Sequence, residues 1–298
     1  MASVGRRWLV VAALAVLVGA CGANDSSSTA GPQTATTAQA PASCPPAGFT
    51  DLEGGFLRTP SGAQPGRTPL IVVVMPGGDG DRGDRLGLAG QAAKQGYAVL
   101  YPTREAGGFW TLNDEQGTSD VENVKALLER VIAAGCIDPD RISITGVSNG
   151  AGMATRMSCA LPTRFAAVVP VAAGYRALDP CPVSARASFL AIHGSADTVV
   201  PYNGKPVDDR AGSVPRYTAR RAKRDGCSGA PRTTRPRALV THIVYRGCDA
   251  GLRVEILRLS GTDHGWPGAG PPRPDENPSN VSASTELLKF VKGARRVG

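Results

Sequence analysis

Past Ser43 the chain alternates short apolar runs with amphipathic stretches. Leu70 to Met75 is rich in β-branched residues and is closed by Pro76-Gly77-Gly78-Asp79-Gly80. An apolar run of that length, ended by glycines, predicts a buried strand feeding a loop. Leu86 to Gln95 predicts a helix, and Tyr97 to Tyr101 a second strand. Between Asp120 and Ala134 the residues Val121, Val124, Leu127, Leu128, Val131 and Ile132 fall on one helical face. Ser119 or Asp120 can cap that helix and Gly135 can end it. Arg141 to Thr145 predicts a third strand, with a helix starting just past Ser148. Phe165 to Pro170, Ser188 to Ile192 and Arg253 to Leu259 predict further strands, and Ser284 to Lys292 a closing helix. Strands alternating with helices imply βαβ units. The expected class is α/β, a mainly parallel sheet with helices on both faces.

The first residues follow a different pattern. Arg6 and Arg7 precede the apolar run Leu9 to Val18, which is too short to span a bilayer as a helix. The run ends in Val18-Gly19-Ala20-Cys21, small residues before a cysteine. This resembles a bacterial lipobox, which implies a signal over 1–21 and lipidation at Cys21. An ordinary cleavage site is the plainer alternative. The paired arginines weakly resemble a twin-arginine signal. Residues 22–43 are rich in Ala, Ser, Thr, Gln and Pro and read as a flexible tether. That leaves 44–298 as one catalytic domain. The expected location is outside the cell, anchored at its surface or free.

Composition changes this picture in two places. The net charge is +8, and Arg216 to Arg237 carries eight Lys or Arg against the single acid Asp225. Such a run can attract an anionic polymer or a membrane surface, and its plain reading is a solvated face. No nucleic-acid motif accompanies it, so no nucleic-acid partner is expected. Setting Cys21 aside leaves Cys44, Cys136, Cys159, Cys181, Cys227 and Cys248. An even number after export predicts disulfides, with the connectivity open. The preferred pairing is Cys44–Cys136, Cys159–Cys181 and Cys227–Cys248, the last bracing a loop-rich basic hairpin. The absence of Cys-x-x-Cys argues against a redox or zinc role, and neither metal nor cofactor is expected.

The candidate chemistry centres on Gly146-Val147-Ser148-Asn149-Gly150. Gly-x-Ser-x-Gly alone is weak in a glycine-rich chain, since chance supplies ~0.3 copies, so its setting has to carry it. Ile142 to Thr145 predicts a strand before it, and a helical stretch to Cys159 follows. Small residues flank the serine because the turn is tight. The turn lifts the hydroxyl clear of the sheet and frees the Asn149 N–H for an oxyanion. A serine nucleophile needs a base, and the chain has three histidines. His242 lies in the cysteine-bounded basic segment, where a structural role is expected. His193 precedes Gly194 and is expected to shape a turn. His264 follows the last predicted strand, where this architecture places its base. Asp197 follows an earlier strand, as the order Ser, Asp, His requires. Asp263 is its rival, but a side chain next to His264 in sequence rarely reaches the outer ring nitrogen.

Further stretches carry a family resemblance. They are Gly96 to Pro102, Asp138-Pro139-Asp140-Arg141-Ile142, the elbow with Arg164 to Val168 after it, and His193 to Tyr202 together with His264-Gly265-Trp266-Pro267-Gly268. In these the chain resembles the polyhydroxybutyrate depolymerases and the feruloyl and acetylxylan esterases, α/β-hydrolases. The resemblance implies triad roles for Ser148, Asp197 and His264. It departs at Pro76, which stands where the family carries the histidine of a His-Gly pair. Proline has no N–H to give. Gly77 or Gly78 can still serve the oxyanion, and Gly78 is the expected donor beside Asn149. Trp266, adjacent to the base, is a candidate pocket wall, with packing against the loop as its other reading; for Trp110 simple burial comes first and a pocket wall is the alternative. The expected function is hydrolysis of an ester, polymeric or small. A non-catalytic ligand-binding lipoprotein and a peptidase or lipase variant are the alternatives.

Overall fold

A computed structural model describes residues 43–104, 107–112, 119–175, 181–204, 212–271 and 275–297. The signal, Cys21 and nearly all of the tether lie outside the described residues. In chain order the strands are β1 (Gly48–Leu52), β2 (Gly55–Thr59), β3 (Thr68–Val74), β4 (Ala98–Pro102), β5 (Ile137–Val147), β6 (Ala167–Val171), β7 (Ser188–Gly194), β8 (Gly229–Arg237), β9 (Val240–Arg246) and β10 (Val254–Leu259). The helices are α1 (Ala89–Lys94), α2 (Ser119–Ala133), α3 (Asn149–Ala160), α4 (Val214–Arg224) and α5 (Ala283–Val291).

The strands form one sheet in the order β1-β2-β4-β3-β5-β6-β7-β10-β9-β8. From β4 to β10 every neighbour is parallel, and antiparallel hairpins extend both edges. The alternation of side chains along β3 explains why it reads as continuous apolar sequence. Leu70, Val72 and Val74 enter one core, with residues of α2, α3 and α4. Ile71, Val73 and Met75 enter a second core on the opposite face, with α1 and α5. A strand covered on both faces has no polar side to show.

The predicted strands and helices all form, with shifted ends. The helix expected from Leu86 shortens to Ala89–Lys94. Its start is set by Asp84, whose carboxylate accepts the N–H groups of Ala89 at 2.7 Å and Gly90 at 2.8 Å. The β1–β2 hairpin, β8 and α4 leave little trace in the hydrophobic pattern. The β1–β2 hairpin is short, and most of β1 is exposed. β8 reads GAPRTTRPR and buries none of its residues fully. α4 is inconspicuous because it is dominated by basic residues, and a buried arginine, Arg221, shares its inner face with Val214, Tyr217 and Ala222. Arg221 is held there by Asp225 at 2.9 Å and by the carbonyl of Ala187 at 2.9 Å.

The preferred disulfides are present: Cys44–Cys136, Cys159–Cys181 and Cys227–Cys248. The third braces a hairpin as expected, closing the antiparallel β8–β9 pair at its open end, but that hairpin is regular strand and not loop-rich. The bond joins the turn after α4 to the end of β9, so the basic segment is a helix and an edge strand in regular structure. The C-terminal ends of β3, β5, β7 and β10 open onto four neighbouring loops. Ligands bind at that end of an open parallel sheet.

Candidate active site

The serine turn is shaped by what lies beside it. β5 ends at Val147, Ser148 takes φ 55° and ψ −123°, and α3 begins at Asn149. A non-glycine residue at such a φ stores about 1–3 kcal/mol of strain. Strand pairing over-determines it, since the Ser148 N–H donates to Val171 O at 3.0 Å. Gly146 and Gly150 are required because the elbow rests on the end of β3. A Cβ on either would collide with the carbonyl oxygen of Val74. Ser148 is the N-cap of α3, yet its hydroxyl caps nothing in the helix. It points instead at His264, with Oγ 2.9 Å from Nε2.

His264 sits in the loop after β10. Its Nδ1 lies 2.8 Å from Asp197 Oδ2. A carboxylate only accepts, so Nδ1 carries the hydrogen and Nε2 is left to receive the serine proton. Asp263 accepts the backbone N–H of His264 at 2.7 Å, so its carboxylate fixes the loop rather than the ring. Asp197 follows β7 and is buried. Its Oδ1 accepts the N–H groups of Val199 at 3.0 Å and Val200 at 2.7 Å. Burial pushes its carboxyl up, but hydrogen bonds from His193, His264 and Val200 outweigh this and hold it well below the usual carboxylate range. The two loops are locked together. The Ala196 N–H donates to Thr262 O at 3.0 Å, and a Cβ on Gly194 would strike that same carbonyl.

The opposite wall of the site carries a correction. The Gly78 N–H is occupied, donating to Met75 O at 3.1 Å and closing a turn over Pro76 and Gly77. Gly77 is exposed, and its N–H has no acceptor in the turn, so it replaces Gly78 as the loop's available donor. The Asn149 N–H is in the first turn of α3, where no intrahelical acceptor exists. Trp110 follows the plainer of its two readings. It is buried, and its indole N–H donates to Met75 O at 2.6 Å, so it braces the loop rather than lining a pocket. The Asn149 side chain grips the Trp110 backbone at both ends, accepting from its N–H at 2.7 Å and donating to its carbonyl at 3.0 Å. Arg104 adds a second brace, its N–H on Gly78 O at 2.8 Å and its guanidinium on Asp120 at 2.9 Å. Neither Arg104 nor the Asn149 side chain had a sequence signature, because each acts across the fold.

Trp266 is buried with its indole on Ser284 at 3.0 Å, and it lines a cavity of about 500 Å³ that His264, Asn277 and Asn280 also border and Ser148 does not. His242 lies away from this end, hydrogen-bonded to Glu255 at 2.7 Å. Among the described residues no cluster of His, Cys, Asp or Glu is placed to hold a metal ion.

A parallel sheet with a strained serine elbow at its C-terminal edge defines an α/β-hydrolase. Solved α/β-hydrolases share this fold. An acetyl xylan esterase from Aspergillus awamori superposes with a TM-score of 0.57 at 17% identity, over 80% of this chain and 94% of its own. The particular family follows from sequence. Residues 55–206 match the family model described as Esterase PHB depolymerase, and the chain belongs to that family. NocK of Nocardia uniformis subsp. tsuyamanensis, assigned as an esterase, is 27% identical over 268 residues, covering 77% of this chain and 73% of that protein. Poly(3-hydroxyalkanoate) depolymerase C of Paucimonas lemoignei is 25% identical over 247 residues, covering 71% of this chain and 58% of that protein. The chain is a carboxylic ester hydrolase.

Proposed function

We propose that this chain is an exported serine esterase working through an acyl-enzyme. Ser148 attacks the ester carbonyl while His264 takes its proton at Nε2. Asp197 holds the ring and stabilises the imidazolium that forms. The N–H groups of Asn149 and Gly77 stabilise the oxyanion. His264 then protonates the leaving alcohol, and water, activated by the same ring, releases the acid. The observation that carries this reading is the unbroken chain of contacts, 2.9 Å from serine to imidazole and 2.8 Å from imidazole to carboxylate.

The substrate is a carboxylic ester of the kinds its relatives are named for, a hydroxyalkanoate polyester or a feruloyl or acetyl ester. Domain 44–298 does the chemistry. Residues 1–21 direct export and lipidation at Cys21, and residues 22–43 tether the domain to a membrane. The three disulfides support an oxidising compartment. Ser148→Ala tests the mechanism. Turnover of a short-chain nitrophenyl ester should disappear while the melting temperature is kept. Unchanged turnover in the folded variant overturns it. A panel of the three ester classes, with the same variant as blank, then ranks substrates by kcat/KM.

A further inference from the structure

His193 is the penultimate residue of β7, and its side chain is fully buried. Its Nε2 lies 2.8 Å from Val200 O and 3.2 Å from Asp197 Oδ2. Both oxygens only accept, so Nε2 carries the ring hydrogen and is shared between them. Nδ1 is buried with no hydrogen-bond partner. A bare lone pair suits that position better than an unpaired N–H on a buried cation.

Asp197 Oδ2 therefore stands between two imidazoles, His193 on one side and His264 on the other. Its Oδ1 is already taken by the N–H groups of Val199 and Val200. A carboxylate so gripped cannot rotate about its Cβ–Cγ bond without losing several contacts. In a buried site each lost contact is costly. The other titratable or charged groups near His193 are Tyr202, whose ring meets it edge-on at 6.0 Å, and Arg258. Arg258 is its register partner on β10 and lies over the Tyr202 ring at 5.4 Å.

We propose that His193 is a positioning residue of the esterase. It holds the Asp197 carboxylate toward His264 and withdraws part of the electron density that Oδ2 would otherwise direct at His264. The inference rests on the reading of Asp197 as the acid of the triad. Two consequences separate it from a merely structural role. Without His193 the carboxylate is less well aimed, so kcat falls. In the fraction of molecules where the carboxylate is still aligned, Oδ2, freed of its second donor, binds the His264 N–H more strongly, so the ring keeps its second proton to higher pH. The acid limb of kcat/KM then moves upward in pH.

The experiment compares His193→Phe, which removes the donor, with His193→Gln, which keeps one at similar reach. Rates are taken on a nitrophenyl ester and normalised to active sites titrated with a fluorophosphonate. His193→Phe should lose kcat roughly tenfold with KM little changed, and its acid limb should rise. His193→Gln should recover most of the rate and the original limb. If His193→Phe keeps its kcat per titrated site and its acid limb stays in place, the inference is wrong, whatever happens to its melting temperature. If that variant does not fold, His193→Asn replaces it, being polar but too short to reach Oδ2, and the same outcomes decide. Asp197→Ala is the control for the underlying reading. Full activity there overturns the triad assignment itself, whereas an inactive Asp197→Ala beside an unaffected His193→Phe overturns only the role of His193.

Discussion

Asp197 stays charged across the whole range in which its histidine partner works. The carboxyl is buried, and burial alone would raise it, yet the donors from His193, His264 and Val200 set it well below the ordinary value. The sign of the linked stability follows. A group lowered on folding stabilises fully above its unfolded value, about 3.9 for aspartate, and that contribution fades as pH falls toward the folded value. Asp197 should therefore add no proton to the acid limb of activity, and acid unfolding should begin separately below about pH 4. A pH–rate profile falling with two protons above pH 5 would contradict this. Asp197→Asn keeps the shape but favours the wrong imidazole tautomer, so kcat should drop by roughly 10³–10⁴. The same variant should unfold less steeply between pH 4 and pH 2 in a circular-dichroism titration, because it lacks the carboxyl that titrates there.

The elements place that residue by close backbone contact. α3 can leave β5 only because Gly150 admits the carbonyl of Val74, which a Cβ would strike. Gly150→Ala should therefore abolish activity and lower stability by about 3 kcal/mol or more, since backbone, not a flexible side chain, must move. Gly96→Ala is the comparison. Its φ is also positive, at +80°, but the space around it is open, so only the conformational cost of about 1–2 kcal/mol applies. Equal melting temperatures for the two variants would refute the argument. Trp110 is the other strut, and Trp110→Phe removes the N–H that holds Met75 O. It should lower kcat while sparing KM, because the oxyanion loop is loosened and the nucleophile is not. What was legible in sequence divides along the same line. Ser148, Asp197 and His264 could be picked out because each follows an apolar strand, and their chain order suits the roles proposed for them. The occupied Gly78 N–H, the brace of Trp110 and the second imidazole on Asp197 could not, because they depend on how loops distant in sequence approach. α4 and β8 escaped for a different reason, since a helix with so many arginines and few apolar residues, and a strand of arginines and prolines, offer no apolar run to notice.

Across the whole molecule, covalent bracing and chemistry occupy opposite ends of the sheet. Cys136 immediately precedes β5, so the Cys44–Cys136 bond lies where the parallel strands begin, and the serine sits where β5 ends. This bond spans a sequence separation of 92, against 22 for Cys159–Cys181. Loop entropy then assigns about 4.6 kcal/mol to the first and about 3.4 kcal/mol to the second. At about 2–4 °C per kcal/mol for a domain of this size, Cys44→Ser with Cys136→Ser should lower the melting temperature by roughly 10–15 °C. The rate should respond in the opposite pattern. Losing Cys44–Cys136 removes nothing near the elbow, so kcat/KM at a temperature well below melting should stay within about twofold. Cys159–Cys181 instead ties down the end of α3, the helix whose first turn carries Ser148 and Asn149. Its removal should cost less stability but transmit more to the site, seen as lower kcat per titrated serine. Measuring both double variants by calorimetry and on one nitrophenyl ester separates the two effects. A large loss of kcat/KM in the Cys44–Cys136 variant would show that the two ends of the sheet are coupled, and that the segment around Cys44 helps to shape the site.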